Sequence, residues 1–146
     1  MTAVVAFAAG VACYVVGSVM AGLYLRTGNT RPLSMARTLA WVGAASLAIT
    51  LALRWAQWRL VPLTTAGDSI TLLVLFATVV MLLISTRKQM QSLVGFCLPA
   101  LALVCLVNAV AGHAFLGQAP RPLRGSLLAM HVGLAILAYA LFFVAS

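Results

Sequence analysis

The sequence predicts an all-α protein, an integral membrane helical bundle of about five spans. Three observations carry this. Hydrophobic residues fill 64% of the 146 positions and charged residues only 7%, with a mean hydropathy of +1.15. A soluble domain fills its core at roughly half apolar usage, so the surplus here has to meet lipid. Apolar runs also recur at about the ~20 residues that a helix needs to cross the hydrocarbon core. Finally, the basic residues fall almost entirely between these runs, where membrane-flanking charges belong.

Five segments qualify within a single transmembrane domain, residues 1–146: spans 3–25, 38–58, 69–86, 92–112 and 125–145. The first run lacks the positive start of a signal peptide and is too long for one, so it reads as a retained span. The breaks TGNTRP, VPLTTAGD, STRKQMQ and GQAPRPLRG carry turn chemistry. Pro99 falls inside the fourth span, where a neighbouring helix has to satisfy the freed carbonyl. Small residues four apart, such as Gly17 with Ala21 and Ala44 with Ala48, permit close helix approach. Cys13, Cys97 and Cys105 all lie in apolar runs and form no CxxC or CxxCH, so they read as small buried hydrophobes.

Nine Lys+Arg against one acid give a net charge of +8. Because they flank spans, the reading is topology and not nucleic-acid binding. The first and third breaks hold five basic residues: Arg26, Arg31, Arg37, Arg87 and Lys88. The second and fourth hold four: Arg54, Arg59, Arg121 and Arg124. The excess puts the N-terminus outside. A bacterial inner membrane is the expected location.

The segment RWAQWRLVP alternates Arg and Trp as an interfacial belt does, with Trp55 and Trp58 at headgroup level and Arg54 and Arg59 snorkelling. The other reading is that Arg54 and Arg59 clamp an anionic ligand such as a haem propionate, since a planar fork suits a carboxylate. Asp68, the only acid, opens the third span, where negative charge meets the positive helix end. Capping alone accounts for it.

His113 closes the fourth span, and an imidazole at a membrane boundary is ordinarily an amphipathic interfacial residue; metal ligation is the other reading. His131 lies inside the last run, where a polar ring needs protein, water or a metal beside it. On a helix of ~100° per residue Leu134, Ala135, Ala138 and Phe142 share its side, with Tyr139 flanking. That surface suits a flat macrocycle with imidazole as axial iron ligand, or a hydrogen bond to a neighbouring helix.

Two stretches together resemble one family. VPLTTAGDSITLLVLFAT (61–78) is similar to the P-L-S-N-x-Y-E-S-L entry of the CcsA/ResC-type cytochrome c assembly proteins, with Pro62, Leu63, Thr64 and Asp68-Ser69 at the matching places. LLAMHVGLAILAYALF (127–142) is similar to the family's L-H-V…Y-A-x-F helix through His131, Val132, Tyr139, Ala140 and Phe142. The resemblance covers roughly residues 35–146. It implies a multi-span protein that presents haem to apocytochrome c with a ResB-type partner, the histidine matched by His131 being an axial ligand of the outward-facing haem. The family continues into a tryptophan-rich WWD loop and a second outer histidine, neither present here, and many members carry a histidine in the second span, which this chain lacks. HemX- and YpjD-like relatives also lack the WWD signature. The sequence therefore resembles the N-terminal half of such a protein.

The expected function is haem handling in cytochrome c biogenesis together with a partner polypeptide, haem being the cofactor. His131 is the iron ligand, His113 a secondary candidate, and Tyr139, Arg54 and Arg59 are lining or anion-holding residues. The alternative is a non-catalytic accessory subunit of a larger respiratory or photosynthetic membrane complex. No hydrolytic or transferase site is supportable, since Asp68 has no second carboxylate to work with. Any catalysis would be haem's, with the protein positioning it.

Overall fold

A computed structural model describes residues 2–58, 66–87 and 90–112, together with 135, 138, 139 and 142. All regular structure among them is helical: α1 (Thr2–Thr27), α2 (Thr30–Trp58), α3 (Ala66–Ile84) and α4 (Ser92–Gly112). All four are long and apolar enough to cross a membrane. Of the expected fifth span, Ala135, Ala138, Tyr139 and Phe142 are described, and all four are helical. The rest of it lies outside the described residues.

The α1–α2 connection is far shorter than the sequence suggests. TGNTRP reads as a loop, yet α2 already begins at Thr30, eight residues before the expected 38. Only Gly28 and Asn29 make the turn. Gly28 adopts a positive φ of 66°, and its N–H donates to the Tyr24 carbonyl at 2.8 Å, closing α1. The Asn29 side chain then accepts from the Arg31 N–H at 3.2 Å, opening α2. Pro32 falls in the first turn of α2, where its missing N–H leaves no internal bond unmade.

The four helices form an up-down bundle in which α1 packs on α2 and α4, and α3 packs on α2 and α4. Cross-helix contacts fix the antiparallel sense. Ser46 near the middle of α2 donates to the Ala6 carbonyl at 2.7 Å, whereas Gly17 further along α1 faces Leu39 and Ala36. Leu25 at the end of α1 lies against Gly95 at the start of α4. The ends of α2 and α4 therefore share one end of the bundle with the starts of α1 and α3.

The core is built from small residues that admit larger ones. Tyr14 is fully buried, and a Cβ at Gly43 would stand 2.9 Å from its ring, so only glycine lets α1 and α2 approach there. Across the bundle the Tyr14 hydroxyl meets Thr78 Oγ1 at 2.6 Å. Thr78 already gives its one proton to the Val74 carbonyl at 2.7 Å, so Tyr14 is the donor in this pair. Of the small-residue pairs, Gly17 and Ala21 are both buried, whereas Ala44 is buried and Ala48 exposed. Beside Pro99, Ser18 Oγ reaches from α1 to the Leu98 carbonyl at 3.2 Å. The same hydroxyl lies nearer its own helix's Tyr14 carbonyl, at 2.7 Å, and the carbonyl that Pro99 frees is that of Gly95, one turn earlier.

These contacts rank two substitutions. Gly43→Val should cost about 1–3 kcal/mol through overpacking against an immobile ring. Tyr14→Phe should cost only about 0.5–1.5 kcal/mol, the worth of one hydrogen bond. Thermal unfolding in detergent followed by circular dichroism should place Gly43→Val below Tyr14→Phe, and both below wild type.

Candidate functional site

The end of the bundle where α2 and α4 finish and α3 begins holds a buried polar cluster. Arg54, one turn before the end of α2, is 8% exposed, and Asp68 in the first turn of α3 is 7% exposed. Arg54 Nε stands 2.7 Å from Asp68 Oδ1, and Nη2 donates to Oδ2 at 3.2 Å. The guanidinium thus meets the carboxylate through one hydrogen bond at Nη2 and a close charge contact at Nε. Arg54 does not snorkel outward, and Asp68 does more than oppose the α3 dipole. The pair joins two helices across the intervening segment.

Asn108 extends the cluster to α4. Its Nδ2 donates to the Gly67 carbonyl at 3.1 Å and to Thr71 Oγ1 at 3.0 Å. Thr71 passes its own proton to the Gly67 carbonyl at 2.7 Å. Asn108 therefore fastens α4 to the first turn of α3. α2, α3 and α4 are tied together at one end by Arg54, Asp68, Thr71 and Asn108. At the opposite end Arg37 Nη2 donates to the carbonyl of Ser85, just past α3.

The sequence-predicted residues divide as follows. Arg54 is described, and its guanidinium is occupied by Asp68. Tyr139 is 68% exposed and Phe142 73% exposed, with Ala138 also exposed and Ala135 half-buried. Trp55 is 59% exposed, as an interfacial tryptophan should be. His113, His131, Arg59, Pro62, Leu63, Thr64, Val132 and Ala140 lie outside the described residues. Among the described residues no three of His, Cys, Asp and Glu gather to hold a metal. Cys97 and Cys105 pack into the apolar core cluster.

Sequence reading missed Asn108 and the Arg54–Asp68 pairing. Asn108 was visible as an amide inside an apolar run, which in a membrane needs a partner. Arg54 and Asp68 carried a weaker signal, being basic and acidic residues that flank the same break.

A second feature is an open groove between α1 and α4, about 440 Å³ in volume. Val4, Phe7, Ala8, Ala12, Leu106 and Ala109 are among its lining residues, and every lining side chain is apolar. It offers no polar handle to orient a ligand, only apolar area for a lipid chain or another helix.

Removing one member of the buried pair should hurt more than removing both. Asp68→Asn leaves Arg54 without its counter-charge and should lower stability by about 3 kcal/mol. The double substitution Arg54→Met with Asp68→Leu replaces the pair by apolar volume and should recover most of that loss. Melting temperatures of the two variants in detergent check the order. The chain matches no family model, no curated protein and no solved structure.

Proposed function

We propose that this chain is an inner-membrane component of bacterial cytochrome c biogenesis that handles haem together with a partner polypeptide. The observation that carries the reading is the occurrence of two motif stretches, 61–78 and 127–142, in one chain and in the family's order. The fold is compatible with their acting together. Asn108 fastens the end of α4 to the start of α3, so the chain leaves α4 beside the first motif before running on to the second. The five-to-four distribution of basic residues puts that end outside, with a fifth span, 125–145, following.

In this reading His131 would hold the haem iron through its imidazole, together with a residue of a partner polypeptide. Haem, when bound, brings the iron redox chemistry and the vinyl groups that react in attachment. This chain's part is to hold the macrocycle by its iron and to keep lipid from its face. Arg54 stays with Asp68 as a structural pair, which leaves Arg59 as the basic residue for a propionate. The open side bearing Tyr139 and Phe142 is the natural boundary with the partner.

A second reading has its own support. The wholly apolar α1–α4 groove suits a neighbouring helix of a larger respiratory or photosynthetic complex, with this chain as an accessory subunit that does no chemistry. Normal cytochrome c maturation in a deletion strain, with the chain co-purifying with such a complex, would select it.

The haem reading is tested by purifying the full chain in detergent with haem supplied. The wild type should show a Soret band that shifts or is lost in His131→Ala and persists in His113→Ala. Identical spectra for wild type and His131→Ala would remove the ligand assignment.

A further inference from the structure

The end of the bundle away from Asp68 carries positive charge without a counter-charge. Arg37 is half-buried on α2, and its Nη2 donates to the Ser85 carbonyl just past α3. Its Nε is buried and makes no hydrogen bond. Arg87 lies two residues beyond Ser85 and is exposed, its N–H donating to the Ile84 carbonyl at 3.2 Å. The C-terminal end of a helix carries a partial charge of about −0.5, and two full positive charges meet it here. Roughly +1.5 is left over at this place. Asp68, the only acid in the chain, is engaged with Arg54 at the other end.

This charge stands at a step beside an apolar seam. α3 stops at Ile84, whereas α2 extends about 10 Å past Arg37, back to Thr30. Arg37 and Arg54 mark the line of α2 that faces α3. At ~100° per residue Trp41, Ala48 and Ala52 lie within about 70° of that line, on the side away from the α1 contacts at Gly43 and Ser46. All three are exposed, Trp41 by 48%. On α3 the facing line runs through Asp68 and Ser85. Leu83, one turn before Arg87 and 59% exposed, lies about 70° round from it, away from the inward Thr78. Charge and seam therefore adjoin on the outer side of the α2–α3 contact.

We infer that this end binds an anionic phospholipid, its phosphate held by Arg37 and Arg87 and one acyl chain laid along the seam past Trp41 and Leu83. The planar guanidinium suits phosphate oxygens, and its charge strengthens each bond. Trp41, one turn further into α2 than Arg37, sits where an interfacial ring meets the glycerol level. Ala48 and Ala52 continue the strip with little bulk, which leaves width for a chain. A soluble anion would use the charge and leave the seam empty. A neutral lipid would use the seam and leave the charge unmet. An amphiphile with an anionic head uses both. The site lies apart from both histidines and does not depend on haem being bound.

Quenching of tryptophan fluorescence by brominated lipid tests this. With Trp55→Phe and Trp58→Phe, Trp41 is the one tryptophan left in the chain. The full chain is placed in phosphatidylcholine nanodiscs that contain the same small fraction of either brominated phosphatidylglycerol or brominated phosphatidylcholine. One basic residue near a membrane surface enriches an anionic lipid roughly fivefold. Brominated phosphatidylglycerol should therefore quench Trp41 as a lipid enriched about fivefold or more over brominated phosphatidylcholine. Arg87→Gln leaves the Arg37–Ser85 bond in place and should lower that preference; Arg37→Gln with Arg87→Gln should abolish it. Arg26→Gln with Arg31→Gln removes equal charge from the α1–α2 turn and should leave the preference unchanged, as should phosphate in place of chloride at equal ionic strength. Equal quenching by the two lipids overturns the inference. So does a loss in the Arg26 and Arg31 variant as large as in Arg87→Gln, which would mark diffuse charge. Abolition by phosphate assigns the charge to a soluble anion and overturns it too.

Discussion

The rest of the bundle depends on the close approach of α1 and α2 around Tyr14. Lipid tails are as apolar as leucine, so helices in a membrane gain little from burying apolar surface and associate through steric fit and hydrogen bonds. Tyr14 supplies both. Its ring lies against Gly43, where any side chain would collide, and its hydroxyl donates to Thr78 on the diagonal helix. One residue thus brings α1, α2 and α3 to a common centre. The two ends of the bundle are then closed by separate polar contacts.

Those end contacts share a logic. Each places a polar side chain of one helix against a terminus of another. Asn108 binds the Gly67 carbonyl and Thr71 at the start of α3, and Arg37 binds the Ser85 carbonyl just beyond its end. Arg54 and Asp68 add charge to the first of these. A buried ion pair is weak evidence for stability but fixes which surfaces meet, because a register slip would strand both charges. α3 is held at both ends, and its position relative to α2 is specified more tightly than apolar contact alone would allow.

The four described helices were legible in the sequence because spanning length and apolar composition are properties of single segments. Their ends were less so. α2 starts at Thr30 since Asn29 and Gly28 complete a turn in two residues, and Arg31 and Arg37, which read as loop charges, belong to its first turns. At the candidate site Arg54, Asp68 and Tyr139 were singled out, but the pairing of the first two was not. Such a pairing depends on how α2 and α3 return to each other across the second break, and periodicity within either helix is silent on that. Asn108 acquires its meaning in the same way, from a contact 41 residues away.

The interior polar groups of the described bundle are largely committed to one another. Tyr14 binds Thr78, Arg54 binds Asp68, and Asn108 binds Thr71. Ser18 and Ser46 reach backbone carbonyls of adjacent helices. In an apolar surrounding each such bond is retained, because an unpaired polar group there is expensive. Diverting any of these side chains to a ligand would first require breaking a bond that fastens two helices. The four helices α1–α4 are therefore built as a scaffold, and ligand chemistry has to come from residues that they leave uncommitted. Both histidines fall in the last third of the chain, after α4, where Tyr139 and Phe142 are exposed. A scaffold held together by its own polar groups is what these four helices amount to.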